Sequence, residues 1–233
     1  MAVAPFNHNV TSERECDEKR ESDPSFLCAI VLGLVSIAIA PASAADVIAE
    51  WATVKPPAAP ELKPAKLDGK TTALLILDLQ KPSCTMQRRV RCVDTIPKVK
   101  RLHDAARAAG ATVIYSFAGA GDPHEIADPG FAPRDGEWMA QRGPDKFLGS
   151  DLEKRLKDKG IKTVIVTGSS AQGVVIGTGS GAAQRGYQVV VPVDGMSSDD
   201  AYSEQYAAWH MAKGGPAIVT DKVTLTRTEM ISF

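Results

Sequence analysis

The sequence predicts a three-layer α/β domain, in which a mostly parallel, doubly wound sheet carries helices on both faces. Short apolar runs of strand length alternate with longer segments of helical periodicity from residue 71 to residue 233. The first run, TALLILDL, is continuously apolar, which is typical of a strand buried on both faces. Strands that alternate with helices imply right-handed crossovers and parallel pairing. Rossmann-like sheets of this kind bind ligands outside the carboxyl ends of their strands.

Local signals place each element. The predicted strands are residues 72–79, 112–117, 162–168, 187–195 and 222–227, and the predicted helices are residues 94–110, 150–160, 171–186 and 201–213. Apolar residues recur at helical spacing in the first helix, and Gly110 is its stop signal. Ser150 and Glu153 have the spacing of a capping box at the start of the second helix, which Gly160 would end.

The N-terminal part of the chain is predicted to be separate from the domain. Residues 26–40 are apolar, and the Ala42-Ser43-Ala44 that follows fits cleavage after Ala44. We therefore interpret residues 1–44 as a secretory signal-like segment, residues 45–70 as a Pro- and Ala-rich extended lead-in, and residues 71–233 as the domain. This interpretation predicts export to the periplasm or the medium. It also predicts that no stable membrane span remains after the signal is removed. An uncleaved anchor and a buried cytosolic helix are the alternatives, because more acid than base precedes the apolar run.

The amino-acid composition limits the classes of binding partner that the protein is expected to have. The 233 residues are 44% hydrophobic and carry a formal net charge of −1. This apolar content supports a full core and argues against global disorder. Nothing suggests the basic face of a nucleic-acid binder, so the expected partner is a small-molecule substrate or ligand. A homo-oligomer is compatible with the sequence, which does not fix the number of subunits.

Asp78 is the first candidate for a chemical role. It interrupts the apolar run of the first strand, at the end of the sheet where α/β domains place their sites. Apolar surroundings raise the pKa of a carboxyl group, which suits a general acid or base near neutral pH. The alternative is a turn-forming Asp that caps the next segment.

Three segments resemble the isochorismatase-like hydrolase superfamily, which has the cysteine hydrolase fold. ALLILDLQ resembles the opening strand of that family, whose Asp is catalytic. KFLGSDLEKRLKDKGIKTVIVTG resembles the family pattern AFxGTxLxxxLxxxGIxxxxxxG, and RGYQVVVPVDGMSS resembles RGYxVxxxxDAxxS. Each motif alone is moderately specific, but their order and spacing together are highly specific. The resemblance covers most of the domain, from Thr71 to Ser198.

The resemblance implies a catalytic Asp, Lys and Cys, and this sequence keeps only part of that set. The Asp corresponds to Asp78. The cysteine position is occupied by Val174, and the lysine position falls on Gln141, beside Arg142. Lys146 lies nearby at a different motif position. It is the candidate to replace the family lysine, and a solvated loop lysine is the alternative.

The missing thiol changes the chemistry that the resemblance implies. Valine is neither a nucleophile nor a metal ligand, so the covalent thioester route is closed. Cysteine-free isochorismatases of this superfamily hydrolyse a vinyl ether with the Asp as the acid, so an Asp-based route is implied. Backbone amides around Gly173 would stabilise an oxyanion, and a cis peptide is implied at Ser169-Ser170. The binding residues expected around Asp78 are Phe117, Gln141, Arg142, Gly173 and Val174.

Three further features have alternative interpretations. Cys84 and Cys92 are candidates for a disulfide in an oxidising compartment, or for replacement nucleophiles beside basic residues. The segment GTGSG lies inside a predicted helix, so its glycines favour close helix packing over dinucleotide binding. Asp122 and His124 meet a minimal metal-binding pattern, but no second His lies close behind. No metal and no cofactor is therefore predicted.

Two classes of function are compatible with these features. The leading hypothesis is a small-molecule hydrolase of the isochorismatase-like superfamily that uses Asp78 without a Cys nucleophile. The alternative is a pseudoenzyme, a small-ligand-binding or structural protein that kept the fold and lost the chemistry. A cationic partner for Asp78 would discriminate between them, and only Lys81, Arg142 or Lys146 can supply one.

Overall fold

The computed structural model describes residues 46–118 and 122–233 of the chain, which divides into two compact units at Lys55–Pro56. The signal-like segment, residues 1–44, and its cleavage site lie outside the described residues. In the first unit, residues 47–53 form consecutive turns. A search of the described helices for one with the length and apolarity to cross a membrane finds none.

The second unit, residues 56–233, has the α/β architecture that the sequence predicts. Its strands are β1 (Ala65–Lys66), β2 (Thr72–Leu77), β3 (Thr112–Phe117), β4 (Trp138–Ala140), β5 (Thr163–Ser169), β6 (Gln188–Pro192), β7 (Met196–Ser197), β8 (Val223–Thr226) and β9 (Ile231–Ser232). Its helices are α1 (Val90–Ala108), α2 (Leu152–Asp158), α3 (Ile176–Gln184), α4 (Ala201–Trp209) and α5 (Ala217–Thr220). One π-helical turn, Ala171–Val175, leads into α3, and another, His210–Gly214, follows α4.

The main sheet is parallel and has the order β4-β3-β2-β5-β6-β8, with β7 paired to the end of β5. The strand β2 is central, and its last residue pairs with Ser116 of β3 on one side and with Gly168 of β5 on the other. The carboxyl ends of these three strands therefore meet at one edge of the sheet. A separate parallel pair joins β1 to β9.

Two hydrophobic cores cover the two faces of the sheet, which confirms the three-layer prediction. Leu75 and Leu77 point into a first core shared with α2, α3, α4 and α5. Leu74 and Ile76 point into a second core shared with α1. Every residue of β2 is buried, as its continuously apolar sequence predicts.

Several elements differ from the sequence-based expectation. The compact unit begins at Pro56, because part of the predicted lead-in belongs to it: the Leu67 amide donates to the carbonyl of Ser232 at 2.8 Å. The short strands β1, β4, β7 and β9 were not predicted. The predicted capping box does not form: α2 begins at Leu152, and the Ser150 hydroxyl accepts from the Leu152 amide at 3.1 Å rather than from the amide of Glu153. Glu153 pairs with basic side chains instead.

Candidate active site

Asp78 lies directly after β2, at the carboxyl end of the central strand. Its φ of 54° ends the extended backbone in the left-handed region, which Asp tolerates better than most residues. Its amide donates to the carbonyl oxygen of Ser116 at 3.0 Å, so the turn is anchored to the end of β3. The side chain is 10% exposed and therefore keeps only a narrow contact with solvent.

Lys146 forms an ion pair with this carboxylate. Its Nζ lies 2.8 Å from Asp78 Oδ2 and donates a second hydrogen bond to the carbonyl oxygen of Gln141 at 2.7 Å. The lysine side chain is 0% exposed. On the other side, the Ser116 hydroxyl donates to Asp78 Oδ1 at 2.7 Å. Lys146 is thus the cationic partner that the sequence left open among three candidates.

The carboxyl group of Asp78 has a perturbed pKa. Burial is the largest effect and raises the pKa above its ordinary value. The charge and hydrogen bond of Lys146, and the hydrogen bond from Ser116, lower the pKa but do not overcome burial. The direction agrees with the raised pKa expected from the sequence.

The turn after β5 faces the same edge of the sheet. Its Ser169-Ser170 peptide bond is cis, as the family resemblance implies. The Gly173 amide donates to the Ser170 carbonyl at 3.2 Å, so it is already satisfied and is not the open oxyanion donor that we expected. Val174 is 7% exposed and packs in the first core, where it presents an apolar side chain rather than a thiol.

Arg89 holds this turn and was missed as a site residue by sequence reasoning. Its Nη1 donates to the Ser169 hydroxyl at 2.8 Å. Its Nε and Nη2 bind the two carboxylate oxygens of Asp199 at 2.7 and 3.1 Å. Cys84 and Cys92 are joined in a disulfide with a Cα separation of 5.2 Å, which closes the loop that carries Arg89. In this state neither cysteine offers a thiolate.

The expected binding residues differ in where the structure places their side chains. Phe117 is fully buried in the second core, whereas Val174 packs in the first. The alternation along β3 points Phe117 to the α1 side, and its role in binding stays a prediction. Gln141 contributes its main-chain carbonyl rather than its amide group. Arg142 is exposed, and the ion pair of Asp78 is with Lys146 instead.

The metal-ligand candidates Asp122 and His124 precede Glu125, which accepts a hydrogen bond from the Gln80 side chain at 3.2 Å. Asp122 accepts a hydrogen bond from the His124 amide at 2.8 Å and caps a short 3-10 helix. Within residues 46–118 and 122–233, no group of three or more His, Cys, Asp or Glu side chains is arranged to hold a metal ion. A cavity of about 600 Å³ lies at the amino ends of β3 and β4, with Arg107 and Arg155 in its wall. It does not include Asp78.

The sequence and fold comparisons agree on one family. The isochorismatase domain family profile matches residues 72–222. N-carbamoylsarcosine amidase from Arthrobacter sp is 32% identical over 124 residues, which are 42% of this chain and 47% of that protein. The uncharacterized isochorismatase family protein YwoC from Bacillus subtilis (strain 168) is 27% identical over 155 residues, which are 57% of this chain and 80% of that protein.

A solved structure gives the same fold. The isochorismatase family protein from Desulfovibrio vulgaris subsp. vulgaris str. Hildenborough superposes with a TM-score of 0.61 at 21% sequence identity. The superposition covers 68% of this chain and 95% of that protein. At this identity the likeness concerns the fold.

Proposed function

The chain belongs to the isochorismatase family, and from that premise we propose that it hydrolyses a small molecule with Asp78 and Lys146 in place of a nucleophilic cysteine. The observation that carries the proposal is the buried ion pair between Lys146 Nζ and Asp78 Oδ2, 2.8 Å apart at the carboxyl end of the central strand. It supplies a cationic partner for Asp78, which supports the hydrolase over the pseudoenzyme.

A buried pair of this kind is poorly explained by stability alone. Removing two charges from water costs as much as, or more than, their attraction returns. Residues that only supported the fold would be replaced at little cost by apolar side chains of similar volume. The pair is also placed where α/β sheets bind their ligands, outside the strand ends. A perturbed carboxyl group at such a position favours a chemical role.

The arrangement supports acid-catalysed hydrolysis. The raised pKa of Asp78 keeps a fraction of the carboxyl group protonated nearer neutral pH, and the protonated form can donate its proton to the leaving atom of the substrate. Water then adds to the carbon that carries the leaving atom, the bond between that carbon and the leaving atom breaks, and the proton that water loses returns to Asp78. Lys146 stabilises the carboxylate between these steps. Val174 offers no nucleophile, so no covalent intermediate forms at that position.

A pseudoenzyme is the second candidate, and one observation favours it. Asp78 is 10% exposed and Lys146 is 0% exposed, so a substrate has little access to either group in this conformation. A protein that binds a small ligand at the site mouth without turnover would have the same geometry.

A substrate panel tests the proposal. The Arthrobacter relative is named as an amidase, so the panel contains N-carbamoyl compounds and other amides together with vinyl ethers and esters. We expect turnover by the wild type and a loss of about 10²-fold or more in Asp78→Asn, as for removal of a general acid. Asp135→Asn is the matched control, because Asp135 is an exposed carboxylate at the opposite end of the sheet.

The pH dependence gives a second measurement. If Asp78 acts as the acid, kcat/KM is highest below its pKa and falls as the pH rises through that value. A base would give the opposite slope. An Asp78→Asn variant that is folded, by circular dichroism, and as active as the wild type would contradict the assignment of Asp78. The absence of turnover across the whole panel would favour the pseudoenzyme.

A further inference from the structure

The start of α3 packs against the main chain that leads to Lys146. A Cβ built on Gly177 would lie 2.7 Å from both the carbonyl carbon and the oxygen of Pro144, and 3.0 Å from the amide nitrogen of Asp145. A Cβ on Gly181, one turn later, would lie 2.7 Å from Asp145 Oδ1. The distances at Gly177 are far below ordinary contact and involve main-chain atoms, so the segment approaches the helix as closely as it does only because residue 177 is a glycine.

Thr178, which follows Gly177 in α3, binds the same segment through two hydrogen bonds. Its hydroxyl donates to the carbonyl oxygen of Pro144 at 3.0 Å and accepts from the amide of Lys146 at 3.2 Å. Thr178 is 0% exposed, and Lys146 is equally buried. A buried hydroxyl with two main-chain partners on either side of Asp145 fixes the direction in which the chain enters position 146.

We infer that Gly177, Thr178 and Gly181 form a cradle that positions Lys146 for its contact with Asp78. Thr178 hydrogen-bonds to the main chain of Pro144 and Lys146, so Thr178 and Gly177 act through Lys146 as positioning residues. The cradle explains how a lysine at position 146 can serve the site although the family resemblance places the lysine at Gln141. It also gives the glycine-rich segment of α3 a specific role.

Gly177→Ala tests the inference, and Gly179→Ala is its matched control. Both changes replace a glycine in the same helix by the residue with the highest helix propensity. At position 179, however, the one atom closer than ordinary contact would be the terminal methyl of Met211, at 2.6 Å, which is the far end of a flexible side chain. At position 177 it would meet main-chain atoms, whose displacement shifts Lys146 itself.

The readout is the pKa of Asp78, measured by ¹³C NMR titration of the carboxyl group and assigned by its absence in Asp78→Asn. The charge and hydrogen bond of Lys146 lower this pKa, so any variant that displaces the lysine raises it. We expect the pKa of Asp78 to rise in Gly177→Ala, as it should in Lys146→Met, where the ammonium group is removed. We expect the pKa of Asp78 to stay unchanged in Gly179→Ala. A loss of general stability would not move the pKa in the folded protein.

A second pair of variants covers the case in which Gly177→Ala does not fold. Thr178→Ser keeps the hydroxyl and should hold the pKa of Asp78 close to that of the wild type, whereas Thr178→Val removes it and should raise the pKa. Folded Gly177→Ala or Thr178→Val with the wild-type pKa would overturn the inference, and so would an equal rise in Gly179→Ala. The inference rests on the proposed function only in calling Lys146 catalytic. The titration needs no turnover, so its failure is distinct from failure of the substrate panel.

Discussion

Lys146 reaches Asp78 from a loop position that a motif alignment assigns to no catalytic group. The sequence could name it as a candidate because few cations lie near the expected strand ends. It could not choose Lys146 over Arg142, since the choice depends on how residues 144–146 pack against α3. Ser116 was missed as a partner of Asp78 for a similar reason: its contact depends on the register in which Leu77 pairs with Ser116.

Position 174 is the clearest departure from the family pattern, and a single substitution tests it. Val174→Cys would restore a thiol at the expected nucleophile position. We expect the Lys146 ammonium to favour the thiolate and so to speed alkylation by iodoacetamide at neutral pH. In a chain that begins at Ala45, with Cys84 and Cys92 bridged, the introduced cysteine is the only free thiol. The rate is measured by mass spectrometry.

Val175→Cys provides the control for this experiment. Val175 is fully buried beside Val174, so a thiol there should behave as an inert core cysteine. Adding Lys146→Met to Val174→Cys should slow the alkylation. If Val174→Cys reacts no faster than Val175→Cys, or is indifferent to Lys146→Met, position 174 does not share an electrostatic environment with the ion pair.

At the scale of elements, the periodic segments were predicted and the short ones were not. The strand β4 has three residues and lies in a stretch that reads as a Gly- and Pro-rich loop. Its pairing is set by the backbone of β3, and its free edge is covered by Arg155, whose guanidinium donates to the carbonyl oxygens of Gly136 and Trp138 at 3.0 and 3.3 Å. Such pairing partners leave no local signal in the sequence.

The disulfide loop links an element to the site. The Cys84–Cys92 bridge joins two cysteines at a sequence separation of eight, and the loop that it closes includes Arg89, which holds the turn at Ser169. Loop closure of this length stabilises a fold by about 2–3 kcal/mol on the chain-entropy account. The double variant Cys84→Ala/Cys92→Ala should lose about that free energy of unfolding, measured by urea denaturation. In reducing buffer the difference in the free energy of unfolding between the wild type and the double variant should shrink. Equal free energies of unfolding under oxidising conditions would argue against a stabilising bridge.

At the scale of the whole molecule, the parallel sheet could be predicted because its long strands are mostly apolar. The helices α1, α2 and α3 also connect β2 to β3, β4 to β5 and β5 to β6. The boundary of the domain could not. The prolines before residue 65 suggested an extended lead-in on the surface of the domain. The structure ties this segment to the end of the chain, since the Lys63 amide donates to the Leu225 carbonyl at 2.8 Å and Ala65 pairs with Ile231. Contacts between residues this far apart in the sequence follow from the packed fold rather than from local composition.

Two truncations test where the folding unit begins. The chain 56–233 keeps both cores and every described strand, so we expect it to unfold at the same urea concentration as the longer chain 46–233. The chain 71–233 loses β1 and the apolar contacts of Leu62 and Leu67 with the two cores. Main-chain hydrogen bonds contribute about 1 kcal/mol each and buried apolar surface adds to this. We therefore expect 71–233 to be less stable by about 2–4 kcal/mol, on that same accounting. A midpoint for 71–233 equal to that of 56–233 would place the start of the folding unit at residue 71, as the sequence alone suggests.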